Sequence, residues 1–60
     1  MEYGVANEIT FIDGVPTRTP IGYVAGIENI KAYNNANVNN GKVIEIYQLT
    51  IPEGLNEIIL

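Results

Sequence analysis

Four residue types are missing from this chain of 60 residues, which contains no cysteine, histidine, tryptophan or serine. Without cysteine there is no disulfide framework and no thiolate, and without histidine there is no general base that titrates near neutral pH and no imidazole ligand for a metal. Ser–His–Asp and Cys–His catalytic arrangements are therefore excluded. A carboxylate pair remains for acid–base chemistry, but a chain this short can hardly fold a substrate cleft around it. We expect no enzyme, no catalytic residue, no metal site and no cofactor.

Positive charge is also scarce. Arg18, Lys31 and Lys42 stand against seven acidic residues, which gives a net charge of −4. The three basic residues are scattered and provide no patch for a phosphate backbone, so we expect no nucleic-acid binding. No apolar run approaches the roughly 18 residues of a membrane helix, and the first residues lack the basic and apolar regions of a signal peptide. We therefore expect no membrane partner and no classical secretion signal.

The length predicts one small domain over residues 1–60 with a marginal core. For a chain of 6.6 kDa, apolar burial contributes on the order of 85 kcal/mol, and ordering the chain costs about 90 kcal/mol. Small domains with this balance use disulfides, a metal or association, and disulfides are excluded. We therefore expect association, and the apolar segment Ile58, Ile59 and Leu60 supports it. A well-packed monomer is the alternative.

The composition favours β-structure. Ten isoleucines, four threonines and four tyrosines are typical of strands, and no segment carries an i, i+3, i+4, i+7 apolar stripe over three turns. We predict an all-β fold, a small antiparallel sheet or barrel of four to five strands that is completed by oligomerisation.

Two strands are predicted in the first half of the chain. The alternation in Glu8–Ile12 indicates the first, and Asp13-Gly14 is a turn signal. A tight hairpin at this turn would place Phe11 opposite Pro16, which cannot donate to a ladder, so we interpret the following residues as an extended or edge segment. The second predicted strand is Ile21–Ile27. Its two glycines share one face, which leaves a flat surface that another backbone or a ring can approach closely.

Asparagine makes up five of the nine residues from Asn34 to Lys42. Because Asn40-Gly41 is a strong hairpin signal, we predict a long hairpin around it, pairing residues 30–39 with Lys42–Ile51 and placing the asparagines on the solvent face. A wide mobile loop over Asn34–Gly41 is the alternative, and an amide ladder in a stacked assembly would need repeats that the chain lacks.

The return strand Lys42–Ile51 is apolar on both faces, with Ile44 and Ile46 on one of them. A strand that is apolar on both faces is buried on both faces, and in so short a chain we expect another chain to cover the second face. Tyr33, on the polar side of the predicted hairpin, is expected to contact a partner. Arg18, the only arginine, either presents its guanidinium to a partner carboxylate or is a solvated residue of a connector.

These observations favour a non-enzymatic structural or interaction protein, a small β subunit that packs into a larger protein assembly or homo-oligomer. Small, acidic, cysteine-free β-rich chains are common among minor structural proteins of phage particles, so the expected location is a virion or the cytoplasm. The alternative is a small acidic inhibitor or antitoxin-like protein that blocks a basic site on another protein. The predicted partner-binding residues are Arg18, Tyr33, Ile44, Ile46, Ile58, Ile59 and Leu60.

Overall fold

A computed structural model describes all residues, 1–60, and contains three strands and one helix. The elements in chain order are strand β1 (Tyr3–Ile12), strand β2 (Val15–Ala25), helix α1 (Ile27–Asn37), a 3-10 turn (Val38–Asn40) and strand β3 (Lys42–Gln48). The strands form one antiparallel sheet in the order β2-β1-β3. The prediction of a small β-rich fold with an antiparallel sheet is confirmed. The fold is not all-β, because it includes helix α1, and the sheet has three strands instead of four or five and is open instead of closed into a barrel.

Strands β1 and β2 form a tight hairpin at Asp13-Gly14, where both residues have positive φ, 52° and 79°. Positive φ at both central residues is the requirement of a type I′ turn. Phe11 does lie opposite Pro16, so the sequence argument against a tight hairpin was wrong. The proline is tolerated because β2 is an edge strand. Counted from a two-residue turn, Pro16 also falls at a non-hydrogen-bonded position, where no N–H is needed.

Helix α1 occupies the segment for which the sequence predicts the first arm of a long hairpin, and that prediction is wrong. The helix packs on one face of the sheet and buries Ile30 and Tyr33. Asn40-Gly41 ends the helical region instead of turning a hairpin. Gly41 has left-handed geometry, φ 76° and ψ 20°, and its N–H donates to the carbonyl of Val38 at 3.2 Å. Glycine in this conformation is a common helix terminator, so the same dipeptide serves either structure.

Helix α1 shows no apolar stripe in the sequence because asparagines occupy two of its inward-facing positions. Ile30, Tyr33, Asn34 and Asn37 have the i, i+3, i+4, i+7 spacing of one helix face, but two of the four are polar. Asn34 donates to the carbonyl of Ile44 at 3.0 Å and accepts from the N–H of Ile44 at 2.8 Å. Asn37 donates to the carbonyl of Tyr33 at 2.9 Å. These amides bond to the backbone, so the covered face of α1 carries no continuous apolar stripe.

The hydrophobic core lies between α1 and the sheet and is small. Seven of 60 residues are buried. Gly4 on β1 is among them, and its missing side chain leaves room for the side chains of Ile44 and Ile30 above it. The buried apolar cluster consists of Ala6, Val24, Ile30, Tyr33 and Ile44, with the half-buried Ile58 packed against it.

The segment after β3 returns to the outer edge of β2. Tyr23 and Glu57 form an isolated parallel bridge. The N–H of Tyr23 donates to the carbonyl of Asn56 at 3.0 Å, and the N–H of Ile58 donates to the carbonyl of Tyr23 at 2.7 Å. A Cβ atom at Gly22 would lie 2.7 Å from Cγ1 of Ile58 and 3.0 Å from the carbonyl oxygen of Asn56. At this glycine, a second backbone segment does approach closely, as the sequence predicted.

Candidate functional site

One face of the sheet has no cover. Alternation along β1 directs Gly4 and Ala6 towards α1, and both are buried. The intervening residues point to the opposite side, where the structure has no second layer. We call this surface the open face. It consists of Tyr3, Val5, Asn7, Ile9 and Phe11 of β1 and the residues beside them on β2 and β3.

A salt bridge crosses the middle of the open face. Arg18 on β2 reaches over β1 to Glu45 on β3, with Nε donating to Oε1 at 2.6 Å and Nη2 donating to Oε2 at 3.0 Å. This is the bidentate geometry in which arginine binds carboxylates most strongly. The side chains are 49% and 37% exposed. The hydrogen bond from Arg18 lowers the pKa of Glu45, although partial desolvation opposes the shift. The same bond raises the pKa of Arg18.

The salt bridge leaves the open face without net charge. No other charged residue lies among the outward-facing positions of the three strands, and Arg18 and Glu45 neutralise each other. The remaining residues of the face are largely apolar or aromatic. Among them, the rings of Tyr3 and Tyr23 pack edge to face with centroids 6.0 Å apart. The chain's net charge of −4 therefore resides outside the open-face positions of the three strands, and Glu57, bridged to Tyr23, borders the face at the outer edge of β2.

A β-bulge in β3 sets the shape of the open face. Between the positions that pair with Gly4 and Ala6, β3 contains one residue more than β1, at Glu45–Ile46. A bulge of this kind re-aims side chains locally. Ile44 is 3% exposed beneath α1, while Ile46 is 73% exposed on the open face. The sequence placed these two isoleucines on one face because it could not register the extra residue.

Beside Ile46 lies a depression of about 390 Å³, lined by Val5, Asn7, Arg18, Glu45, Ile46 and Gln48. The volume is within the range of small-molecule pockets. Arg18, the one cation that lines the depression, already donates two hydrogen bonds to the carboxylate of Glu45. The depression therefore presents no unpaired positive group to an anionic ligand. Val5 and Ile46 are its two apolar lining residues, and the other four are polar or charged.

The end of the β1–β2 hairpin projects beyond the rest of the sheet. Strand β3 pairs with β1 only as far as Glu8, so the hairpin tip, residues 10–17, is a two-stranded ribbon. Phe11, Ile12 and Val15 in this tip are 71%, 59% and 61% exposed. The tip continues the apolar surface of the open face through Phe11.

Both edges of the sheet are obstructed. Pro16 and Pro20 lie on the outer edge of β2, where proline discourages pairing with another strand, and the Asn56–Ile58 segment covers the same edge at Tyr23. On β3, the side chain of Asn34 occupies both main-chain groups of Ile44. Strand addition at an edge is therefore hindered, and the open face is the continuous apolar surface that remains.

The residues predicted to bind a partner are distributed over several environments. Tyr33 and Ile44 are 5% and 3% exposed, so these two side chains form the core and do not reach a partner surface. Burial, with a smaller contribution from the charge of Glu8, raises the pKa of Tyr33. Ile58 packs against the core of its own chain. The side chain of Ile58 is therefore partly buried by contacts within its own chain.

Ile59 and Leu60 are 79% and 62% exposed and are not among the residues that line the depression. Arg18 and Ile46 are the two predicted residues that the structure brings together, since both line the depression. Sequence reasoning missed Val5 and Asn7. The alternation of "YGVAN" in residues 3–7 is the signal that would have extended the first strand to include them.

Comparison of the chain with protein-family models, curated proteins and solved structures finds no match in any of the three. The structure contains no helix with the length and apolar character needed to cross a bilayer. It also gathers no group of three or more Asp and Glu side chains in a position to hold a metal ion.

Proposed function

We propose that this protein is a non-enzymatic interaction module, a small β subunit that joins a larger protein assembly through the open face of its sheet. The observation that carries the proposal is the balance between the buried and the exposed apolar side chains. The core contains five buried apolar residues, whereas thirteen large apolar residues are exposed, among them Phe11 and Ile46 of the open face at 71% and 73%. An apolar patch that is continuous across a sheet face marks a protein-binding site, whereas single exposed residues do not.

The salt bridge of Arg18 and Glu45 supports burial of this face. Two charges that enter an interface already bonded to each other lose less on desolvation than two unpaired charges. The bidentate contact at 2.6 and 3.0 Å also restricts both side chains before any partner arrives, which reduces the side-chain entropy that is lost when the face is covered.

The chemistry of Glu45 supports a non-enzymatic role. It is the one carboxylate that lines the depression, and its hydrogen bond to Arg18 lowers its pKa. A general acid or base works best with a pKa near the working pH. A carboxylate held ionised by an arginine is a poor candidate for either task.

A virion decoration or minor structural protein is the concrete form of this proposal, and composition alone supports it. The acidic inhibitor or antitoxin-like alternative rests on the net charge of −4. It predicts binding to a basic site that weakens strongly as salt increases. Binding through the neutral open face predicts little dependence on salt.

Site-specific photo-cross-linking in the native source tests the proposal. The cross-linker is placed at Gln48 on the open face and, as the matched control, at the exposed Lys31 on α1. We expect adducts of discrete mass from Gln48 and none from Lys31. Equal adducts from both positions, or none from Gln48, would contradict binding through the open face. Mass spectrometry of the adduct identifies the partner.

A further inference from the structure

We infer that the occupant of the open face is a second copy of this chain, packed sheet against sheet about a two-fold axis. This inference rests on the proposed function and names its partner. Four features of the open face support it: its charge, its shape, its area and the obstruction of the sheet edges.

The charge pattern of the face is self-complementary. In a two-fold interface, each copy contributes the same patch, so every cation needs an anion within that patch. Arg18 and Glu45 lie side by side, and a copy rotated by half a turn places its carboxylate near the guanidinium of the first. On the three strands of the face, a strongly basic partner would find one carboxylate, which Arg18 already neutralises; Glu57, bridged to Tyr23, borders the face only at the outer edge of β2.

The shape of the face is self-complementary as well. Ile46 protrudes, with 73% of its surface exposed, and the depression beside it is lined by Val5, Asn7 and Gln48 among others. A two-fold axis near the salt bridge places Ile46 of each copy over the depression of the other. A protrusion and a depression on the same surface are what such an interface requires.

The available area allows a small interface. The open face is three strands wide, about 14 Å, and its longest strands extend about 35 Å, so each copy offers roughly 450 Å² of projected area. Two such faces give about 900 Å² in total, which is at the low end of the sizes of specific interfaces. Stacking of the two open faces gives a sandwich with sheets about 10 Å apart and strands within about 30° of each other. Edge-to-edge pairing is the competing mode, and Pro16, Pro20 and the Asn34 amide obstruct it.

Charge reversal tests the inference. Sedimentation equilibrium of the wild-type chain is expected to give about 13 kDa, twice the 6.6 kDa of one chain. Arg18→Glu leaves two acids at the centre of each face, and Glu45→Arg leaves two bases. Each variant alone is expected to associate at least about 100-fold more weakly, because like charges then meet. An equimolar mixture of the two is expected to form a heterodimer.

A second pair of variants tests the dimer without changing the salt bridge. Ile46→Lys changes an exposed residue of the open face and is expected to weaken the dimer at least about 100-fold, because it buries an unpaired charge. Val38→Lys, at a residue 53% exposed on the 3-10 turn, is the matched control and is expected to leave the dimer unchanged. Circular dichroism verifies that each variant is folded.

A wild-type chain that stays at 6.6 kDa up to millimolar concentration would overturn the inference. So would a dimer that all of the open-face variants leave intact. These outcomes are distinct from failure of the proposed function. A monomer that still forms adducts with a different protein through Gln48 refutes the second copy and retains the interaction module. A monomer without any adduct refutes both.

Discussion

The two neighbouring asparagines at positions 34 and 35 provide a prediction in which similar substitutions have effects of opposite sign. Asn34 is half-buried and makes two hydrogen bonds to the backbone of Ile44, at 3.0 and 2.8 Å. Asn35 is exposed on α1. Alanine is a better helix former than asparagine by about 0.5–0.7 kcal/mol, and both substitutions gain this amount.

Only Asn34→Ala loses hydrogen bonds. At about 0.5–1.5 kcal/mol each, the two bonds are worth about 1–3 kcal/mol in total. We therefore expect Asn34→Ala to lower the free energy of unfolding by about 0.5–2.5 kcal/mol, and Asn35→Ala to raise it by about 0.5 kcal/mol. The difference between the two variants isolates the hydrogen bonds, because the helix-propensity gain cancels.

Urea unfolding followed by circular dichroism measures both values. The two variants are compared at one fixed protein concentration, because association itself adds to apparent stability. Equal effects of the two substitutions would refute the reasoning, since residues 34 and 35 would then have equivalent surroundings. A stabilising Asn34→Ala would show that its amide does not hold the edge of β3.

Three further perturbations probe the core, the returning segment and the salt bridge. Ile30→Ala removes a fully buried side chain and is expected to lower the free energy of unfolding in urea by about 2–5 kcal/mol. Ile46→Ala is expected to lower it by less than about 0.5 kcal/mol in the dilute monomer, and equal losses would contradict the assignment of Ile30 to the core. Gly22→Ala places a Cβ 2.7 Å from Ile58, and we expect hydrogen exchange at the amide of Ile58 to accelerate at least about tenfold. An unchanged exchange rate would show that the segment does not pack against Gly22. Because the pKa of Glu45 is lowered in the fold, its ionised form stabilises the fold above the ordinary glutamate pKa, and this contribution is lost as pH falls through the lowered value. The melting temperature of Glu45→Gln is therefore expected to lie below that of the wild type at neutral pH and to converge with it in strong acid, and a difference independent of pH would disagree with the salt bridge.

The strands could be predicted because their side chains alternate. Period-two patterns located parts of all three strands, and the glycine-bearing face of β2 correctly indicated close approach of another backbone at Gly22. The ends of the strands were harder to predict from the sequence. Strand β1 begins at Tyr3, and its early residues Gly4 and Ala6 are too small to produce a conspicuous apolar pattern, although they face the core.

Helix α1 was not predicted, because the local signals favoured a hairpin in this segment. Asn34 and Asn37 interrupt its covered face, so the hydrophobic period that identifies a helix was missing. The Asn40-Gly41 dipeptide then acted as a false hairpin signal, since Gly41 with φ 76° suits a helix terminator as well as a turn. Only the contact of Asn34 with Ile44 resolves the ambiguity, and that contact is tertiary.

The candidate site was predicted in fragments. Arg18 and Ile46 were named, but the partner of Arg18 is 27 residues away in the chain. Recognising Glu45 requires the strand order β2-β1-β3, which local patterns do not contain. The bulge at Glu45–Ile46 is equally invisible, because an inserted residue changes the register without changing the composition.

Contacts between copies show directly whether a second molecule of this chain covers the open face. Isotope-filtered NOE spectroscopy on an equal mixture of labelled and unlabelled chains detects only contacts that cross from one copy to another. We expect such contacts from the methyl groups of Val5 and Ile46, and none from the buried methyl groups of Ile30. A millimolar sample that shows no contact between copies, or shows contacts only from residues outside the open face, would contradict it.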